Sequence, residues 1–101
     1  MGKLHYGHGQ TFAFDDRTLA HLRSVIVVKL TLQESVVFTW DDAGQRRTIW
    51  LHPSIPVTFE FDSTDNQDIN HRWLEQLTGL ANGRGGLVLT PEPAADPQDD
   101  A

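Results

Sequence analysis

Residues 34–51, Glu-Ser-Val-Val-Phe-Thr-Trp-Asp-Asp-Ala-Gly-Gln-Arg-Arg-Thr-Ile-Trp-Leu, decide how this chain is read. Val36, Phe38 and Trp40 recur at every second position, with Ser35, Val37 and Thr39 between them. A period of two sends the sets to opposite faces of a half-buried strand. Asp41-Asp42-Ala43-Gly44-Gln45 has turn chemistry, and Arg47, Ile49 and Leu51 then alternate against Arg46, Thr48, Trp50 and His52. The stretch predicts a β-hairpin with one apolar face.

On the N-terminal side, Asp15-Asp16 stands before Thr18-Leu19, where a carboxylate can accept the free N–H groups of a first helical turn. Leu19, Leu22, Ile26 and Leu30 follow at helical spacing, although the β-branched run Val25-Ile26-Val27-Val28 would also suit a strand. The spacing predicts a helix from about Asp16 or Arg17 to about Leu32. Ahead of it, residues 3–7 and 11–14 flank Gly7-His8-Gly9-Gln10 and predict an opening hairpin.

On the C-terminal side, His52-Pro53-Ser54-Ile55-Pro56 interrupts pairing, because proline lacks an N–H and restricts its predecessor. Val57, Phe59 and Phe61 restart the alternation. Residues 63–68 are rich in capping side chains, and Ile69, Trp73, Leu77 and Leu80 predict a second amphipathic helix ending at Asn82-Gly83. Leu87-Val88-Leu89-Thr90 is a last short strand. The order is ββαβββαβ, an α+β fold with a mainly antiparallel sheet and two helices.

A chain of 101 residues is one domain's worth, assigned to residues 1–91, with 92–101 as an acidic, disordered tail containing Pro93 and Pro97. With 39% hydrophobic residues, three Trp and five Phe, the chain is too apolar to stay unfolded. There is no cysteine, which excludes disulfides and thiolate chemistry and suits a reducing compartment. No apolar run nears the roughly 20 residues of a membrane span, and Met1 to Tyr6 lacks a secretion signal's apolar stretch. A cytoplasmic location without membrane contact is the expectation. Of the net charge of −6, Glu92, Asp96, Asp99 and Asp100 account for most, leaving about −2 elsewhere.

Motifs for chemistry are weak. His5 and His8 are three apart, so a strand would point them to opposite faces, and no metal site is expected. Asp62, Asp65 and Asp68 fail the spacing of a calcium loop and read as caps for the second helix. Asp15-Asp16 and Asp41-Asp42 are explained by a helix start and a turn. The glycines of 79–86 close a helix instead of opening one, unlike a phosphate-binding loop. No catalytic residue and no cofactor is assigned.

The informative feature is a surface. If Val36, Phe38, Ile49, Leu51, Phe59 and Phe61 fill the core, Trp50 and Val37 face away from it. A helix of the same chain, a second copy or a different partner could cover them. Arg46 and His52 share the face of Trp50, so the candidate binding set is Trp50, Arg46, His52 and Val37, the composition of an interface hot spot.

The segments Gly2-Lys3-Leu4-His5-Tyr6-Gly7, Phe14-Asp15-Asp16-Arg17-Thr18-Leu19-Ala20-His21-Leu22, Ile49-Trp50-Leu51-His52-Pro53-Ser54-Ile55-Pro56 and Leu87-Val88-Leu89-Thr90-Pro91-Glu92-Pro93 resemble a family of short, uncharacterised actinobacterial proteins. Its members often carry the automatic label ATP-dependent DNA ligase. A ligase takes AMP on the lysine of Lys-x-Asp-Gly, and neither Lys3 nor Lys29 stands in that motif. The resemblance implies kinship and brings no site residue with it.

The expectation is a small non-enzymatic interaction or regulatory module whose partner is a protein or, in a homodimer, itself. The alternatives are a nucleic-acid-associated accessory protein, which would stack a base on Trp50 beside Arg46, and a small enzyme assembled from His52, His21 and scattered acids.

Overall fold

A computed structural model describes residues 1–95; the rest of the expected tail, 96–101, lies outside the described residues. The elements are β1 (Gly2–Tyr6), β2 (Gln10–Phe14), α1 (Asp16–Thr31), β3 (Val36–Asp42), β4 (Gln45–Leu51), β5 (Val57–Glu60), α2 (His71–Ala81) and β6 (Leu87–Val88). This is the ββαβββαβ order and an α+β fold.

Asp15 caps α1: its carboxylate accepts from the Thr18 backbone N–H at 3.0 Å and from the Thr18 hydroxyl at 2.7 Å. The β-branched run is helical because tertiary packing outweighs local preference: Val25 and Ile26 are buried with Leu19 and Leu22, while Val27 and Val28 remain exposed. The cap of α2 is Asn70, whose side chain accepts from the Trp73 N–H, so the capping role expected of the aspartates falls to a later residue. Asp62 instead binds the N-terminal amine, and the Asp68 carbonyl accepts from Arg17.

The strands divide between two sheets, β2-β1-β5 and β4-β3-β6. Pro53 and Pro56 end the run of β4, and β5 pairs antiparallel with β1, Leu4 opposite Phe59. In the second sheet β3 and β4 are antiparallel and β6 runs parallel to β3, Phe38 opposite Leu87. Tyr6 ties the sheets together: its hydroxyl donates to the Trp50 carbonyl and accepts from the His52 N–H at 3.2 Å.

The core lies between the sheets and the helices. Leu4, Leu19, Leu22, Ile26, Phe38, Leu51, Leu77 and Leu87 have no measurable exposure, each burial contributing about 1.5–3 kcal/mol. Trp40 is buried against Phe12, Phe14 and Phe38, with ring centroids 4.9, 5.5 and 4.7 Å away. Of the expected core, Val36, Phe38 and Leu51 are buried, and Ile49, Phe59 and Phe61 pack half-buried at its margin.

His21 is buried within α1 and is satisfied on both ring nitrogens. Nε2 accepts from the Asn70 N–H at 2.9 Å, so Nδ1 carries the proton and donates to the Arg17 carbonyl at 2.7 Å. Its ring packs 4.6 Å from that of Trp73. Glu92, the first residue of the expected tail, takes two hydrogen bonds of 2.7 Å from Arg17. Among the described residues no helix is long and apolar enough to cross a membrane.

Candidate interaction surface

The β3–β4 hairpin closes through Ala43 and Gly44, both at positive φ (50° and 80°), the geometry of a two-residue turn that matches strand twist. Its register places Val37 opposite Trp50, Thr39 opposite Thr48 and Asp41 opposite Arg46 on the outer face. Neither helix covers that face. Trp50 is 55% exposed and Val37 40%, whereas Phe38 and Leu51 on the inner face are wholly buried. Thr39 and Thr48 join their hydroxyls at 3.0 Å between the apolar end and the charged end.

The structure brings together three of the four expected residues. Trp50 stands opposite Val37 in the ladder, and the His52 ring lies 4.8 Å from the Trp50 ring. His52 Nδ1 accepts from the Ser54 N–H at 3.1 Å and contacts its hydroxyl at 2.6 Å. The neutral ring therefore carries its proton on Nε2, an available donor beside the indole. Arg46 stands apart, roughly 13 Å along the strand by the usual rise, and is held by Asp41 at 3.0 Å. That contact keeps the Asp41 carboxyl below its ordinary pKa and the Arg46 guanidinium above its own. Arg47 is paired likewise with Asp42 at 3.2 Å.

Other residues complete the surface. A concavity of about 200 Å³ beside Trp50 and Val37 is lined also by Ala81, Arg84 and Gly86. Gly86 sits at φ 77°, and a Cβ there would meet the Val37 carbonyl oxygen at 2.5 Å, so only glycine brings the α2–β6 loop this close to β3. Arg84 makes no ion pair among the described residues. A second concavity, about 260 Å³, lies between the helices and is lined by Val28, Leu32, Leu74 and Thr78. Ala81, in the last turn of α2, lines both concavities. Val28 and Leu32 are 57% and 62% exposed. Both fall outside the helical stripe of Leu19, Leu22, Ile26 and Leu30 read from the sequence.

β4 is an edge strand, and Tyr6 blunts one end of that edge by engaging the Trp50 carbonyl and the His52 N–H. The residues considered for catalysis do not converge: His21 is enclosed against Trp73, and His52 lies outside against Trp50. His5 bonds Thr11 at 3.1 Å and Glu60 at 2.8 Å on the other sheet, and among the described residues no three metal-ligating side chains form a cluster.

Fold and surface together define a small α+β domain with an uncovered aromatic sheet face. The chain belongs to the family described as domain of unknown function DUF7882, whose model matches residues 1–92. No curated protein and no solved structure matches it.

Proposed function

We propose that this chain is a non-enzymatic interaction module that pairs with a second copy of itself through the outer face of the β3–β4 hairpin. The observation that carries this is the exposure of Trp50, 55%, directly across the ladder from Val37, 40% exposed. An indole beside an aliphatic side chain, a histidine donor and a neighbouring concavity make a hot spot in composition and shape. A twofold axis lets one such patch serve both partners.

The charge arrangement favours protein over nucleic acid as partner. Arg46 and Arg47 are bound by Asp41 and Asp42, so the hairpin's cations are neutralised by its own carboxylates and offer little to phosphates. The absence of cysteine suits work in the cytoplasm.

Light scattering over a concentration range, on wild type and Trp50→Glu, tests the reading. Wild-type dimers and folded mutant monomers are expected, because a desolvated interface does not accept an unpaired carboxylate. Wild-type protein that stays monomeric at every concentration overturns self-association, and a mutant that remains dimeric moves the interface elsewhere.

A further inference from the structure

The segment joining β5 to α2 is fastened to α1 at both ends. Asp16 accepts from the Asp62 and Ser63 N–H groups at 3.1 and 3.2 Å. Further on, Arg17 donates to the Asp68 carbonyl at 2.9 Å and His21 accepts from the Asn70 N–H. Between these anchors the chain bows away from the helix and leaves a cavity of about 500 Å³, within the range of small-molecule sites. Buried Ala20 and half-buried Phe61 and Ile69 give it apolar walls, and Thr64, Asn66 and Gln67 supply hydrogen-bonding groups.

Arg23 is the cation of this cavity. Its guanidinium carbon lies 4.8 Å from the Phe61 ring centroid, and it makes no ion pair among the described residues. A ring beneath the guanidinium orients its planar fork, the shape that receives a carboxylate through two parallel hydrogen bonds. Asp65 is the one carboxylate in the lining among the described residues. Its charge opposes a doubly charged group more strongly than a singly charged one.

We infer that the cavity between α1 and the β5–α2 segment binds a small organic acid carrying one carboxylate, held by Arg23 with its apolar body against Phe61 and Ile69. This site is separate from the Trp50 surface and does not depend on the proposal made for it.

Titration of ¹⁵N-labelled full chain with benzoate, phenyl phosphate and benzyl alcohol tests the assignment. Benzoate should shift the amides of Arg23, Thr64, Asn66, Gln67 and Ile69 with a Kd of about 1–10 mM, as befits a fragment. Phenyl phosphate, largely a dianion at pH 7.5, and neutral benzyl alcohol should bind at least about tenfold more weakly. Arg23→Gln, at an exposed position, should weaken benzoate by about tenfold with the spectrum otherwise unchanged. Asn66→Ala on the bowed segment gives an independent check and should weaken benzoate by about threefold. Absence of benzoate shifts, equal binding of benzyl alcohol, or benzoate affinity unmoved by Arg23→Gln overturns the inference; preference for phenyl phosphate overturns the carboxylate assignment.

Discussion

Arg17 holds Glu92 across 75 positions of sequence, its Nε and Nη2 each donating at 2.7 Å to a different carboxylate oxygen. Asn70 adds a third donor at 2.9 Å to the same carboxylate, and its amide also reaches the Pro93 carbonyl at 2.8 Å. The start of α1, the cap of α2 and the segment after β6 thus meet at one polar joint. Residues 90–93 are secured by it, and the Trp73 indole N–H reinforces the attachment by donating to Thr90.

The joint makes stability depend on acid. Hydrogen bonding from Arg17, then from Asn70, lowers the Glu92 pKa from an ordinary 4.5 to about 2. A depressed carboxyl contributes its full stabilisation above the unfolded pKa and loses it as pH falls toward the folded one. Wild type should exceed Glu92→Gln by about 1 kcal/mol at pH 7, a figure discounted for the partial exposure of the pair. Urea titrations should show this difference shrinking below about pH 4.5 and vanishing near pH 2. A difference that stays constant over that window would show that the pair does not contribute.

Asn70 and aspartate are equally good helix caps, yet they are not equivalent here. Aspartate could still accept from the Trp73 N–H, but it has no N–H to give Glu92 or the Pro93 carbonyl and would set a second negative charge against the first. Asn70→Asp should therefore cost about 2–3 kcal/mol, measured by denaturant unfolding, where capping alone predicts almost none. Adding Glu92→Gln should recover part of the loss. A double variant no better than Asn70→Asp would place the cost elsewhere.

Legibility in the sequence followed the range of the interactions. The hairpin 34–51 was readable because a period of two and a turn are local, and the prolines at 53 and 56 announced the break after β4. The division into two sheets was not readable, because pairing of β5 with β1 and of β6 with β3 is chosen by contacts far apart in the chain. Alternation put Trp50 and Val37 on the second face and could not say whether a helix covered it. Arg46 shares that face in register and was separated from Trp50 by distance and by Asp41. Glu92 was hidden by the proline-rich, acidic composition around it, since its cation lies at the other end of the domain. Arg84 gained its place only because Gly86 lets the loop approach β3.

Gly86 gives a direct check on that approach. Its φ of 77° disfavours any side chain, and a Cβ would lie 2.5 Å from the Val37 carbonyl oxygen, so the strand must move to admit one. Gly86→Ala should destabilise the protein by about 2 kcal/mol or more and speed amide exchange at Leu89, whose N–H donates to the Thr39 carbonyl at 3.0 Å. Gly85→Ala, with open space around the added carbon, serves as the control and should leave Leu89 protected. Equal exchange in both variants would mean that β6 does not depend on the close contact.

The turn of the β3–β4 hairpin contains a residue at odds with its backbone. Ala43 holds φ at 50°, a region that costs an alanine more than an asparagine, whose short polar side chain tolerates it. Gly44 follows at φ 80°, so Ala43→Asn would create the Asn-Gly pair preferred in this turn. Because Ala43 is exposed, the exchange disturbs no packing and should add about 0.5–1 kcal/mol to stability, seen as a raised melting temperature. The surface formed by Val37 and Trp50 lies at the opposite end of the hairpin, so the oligomeric mass should not change. A melting temperature that falls would show that the two-residue turn is not the form the hairpin takes in solution, and a changed mass would show that the tip itself takes part in the contact.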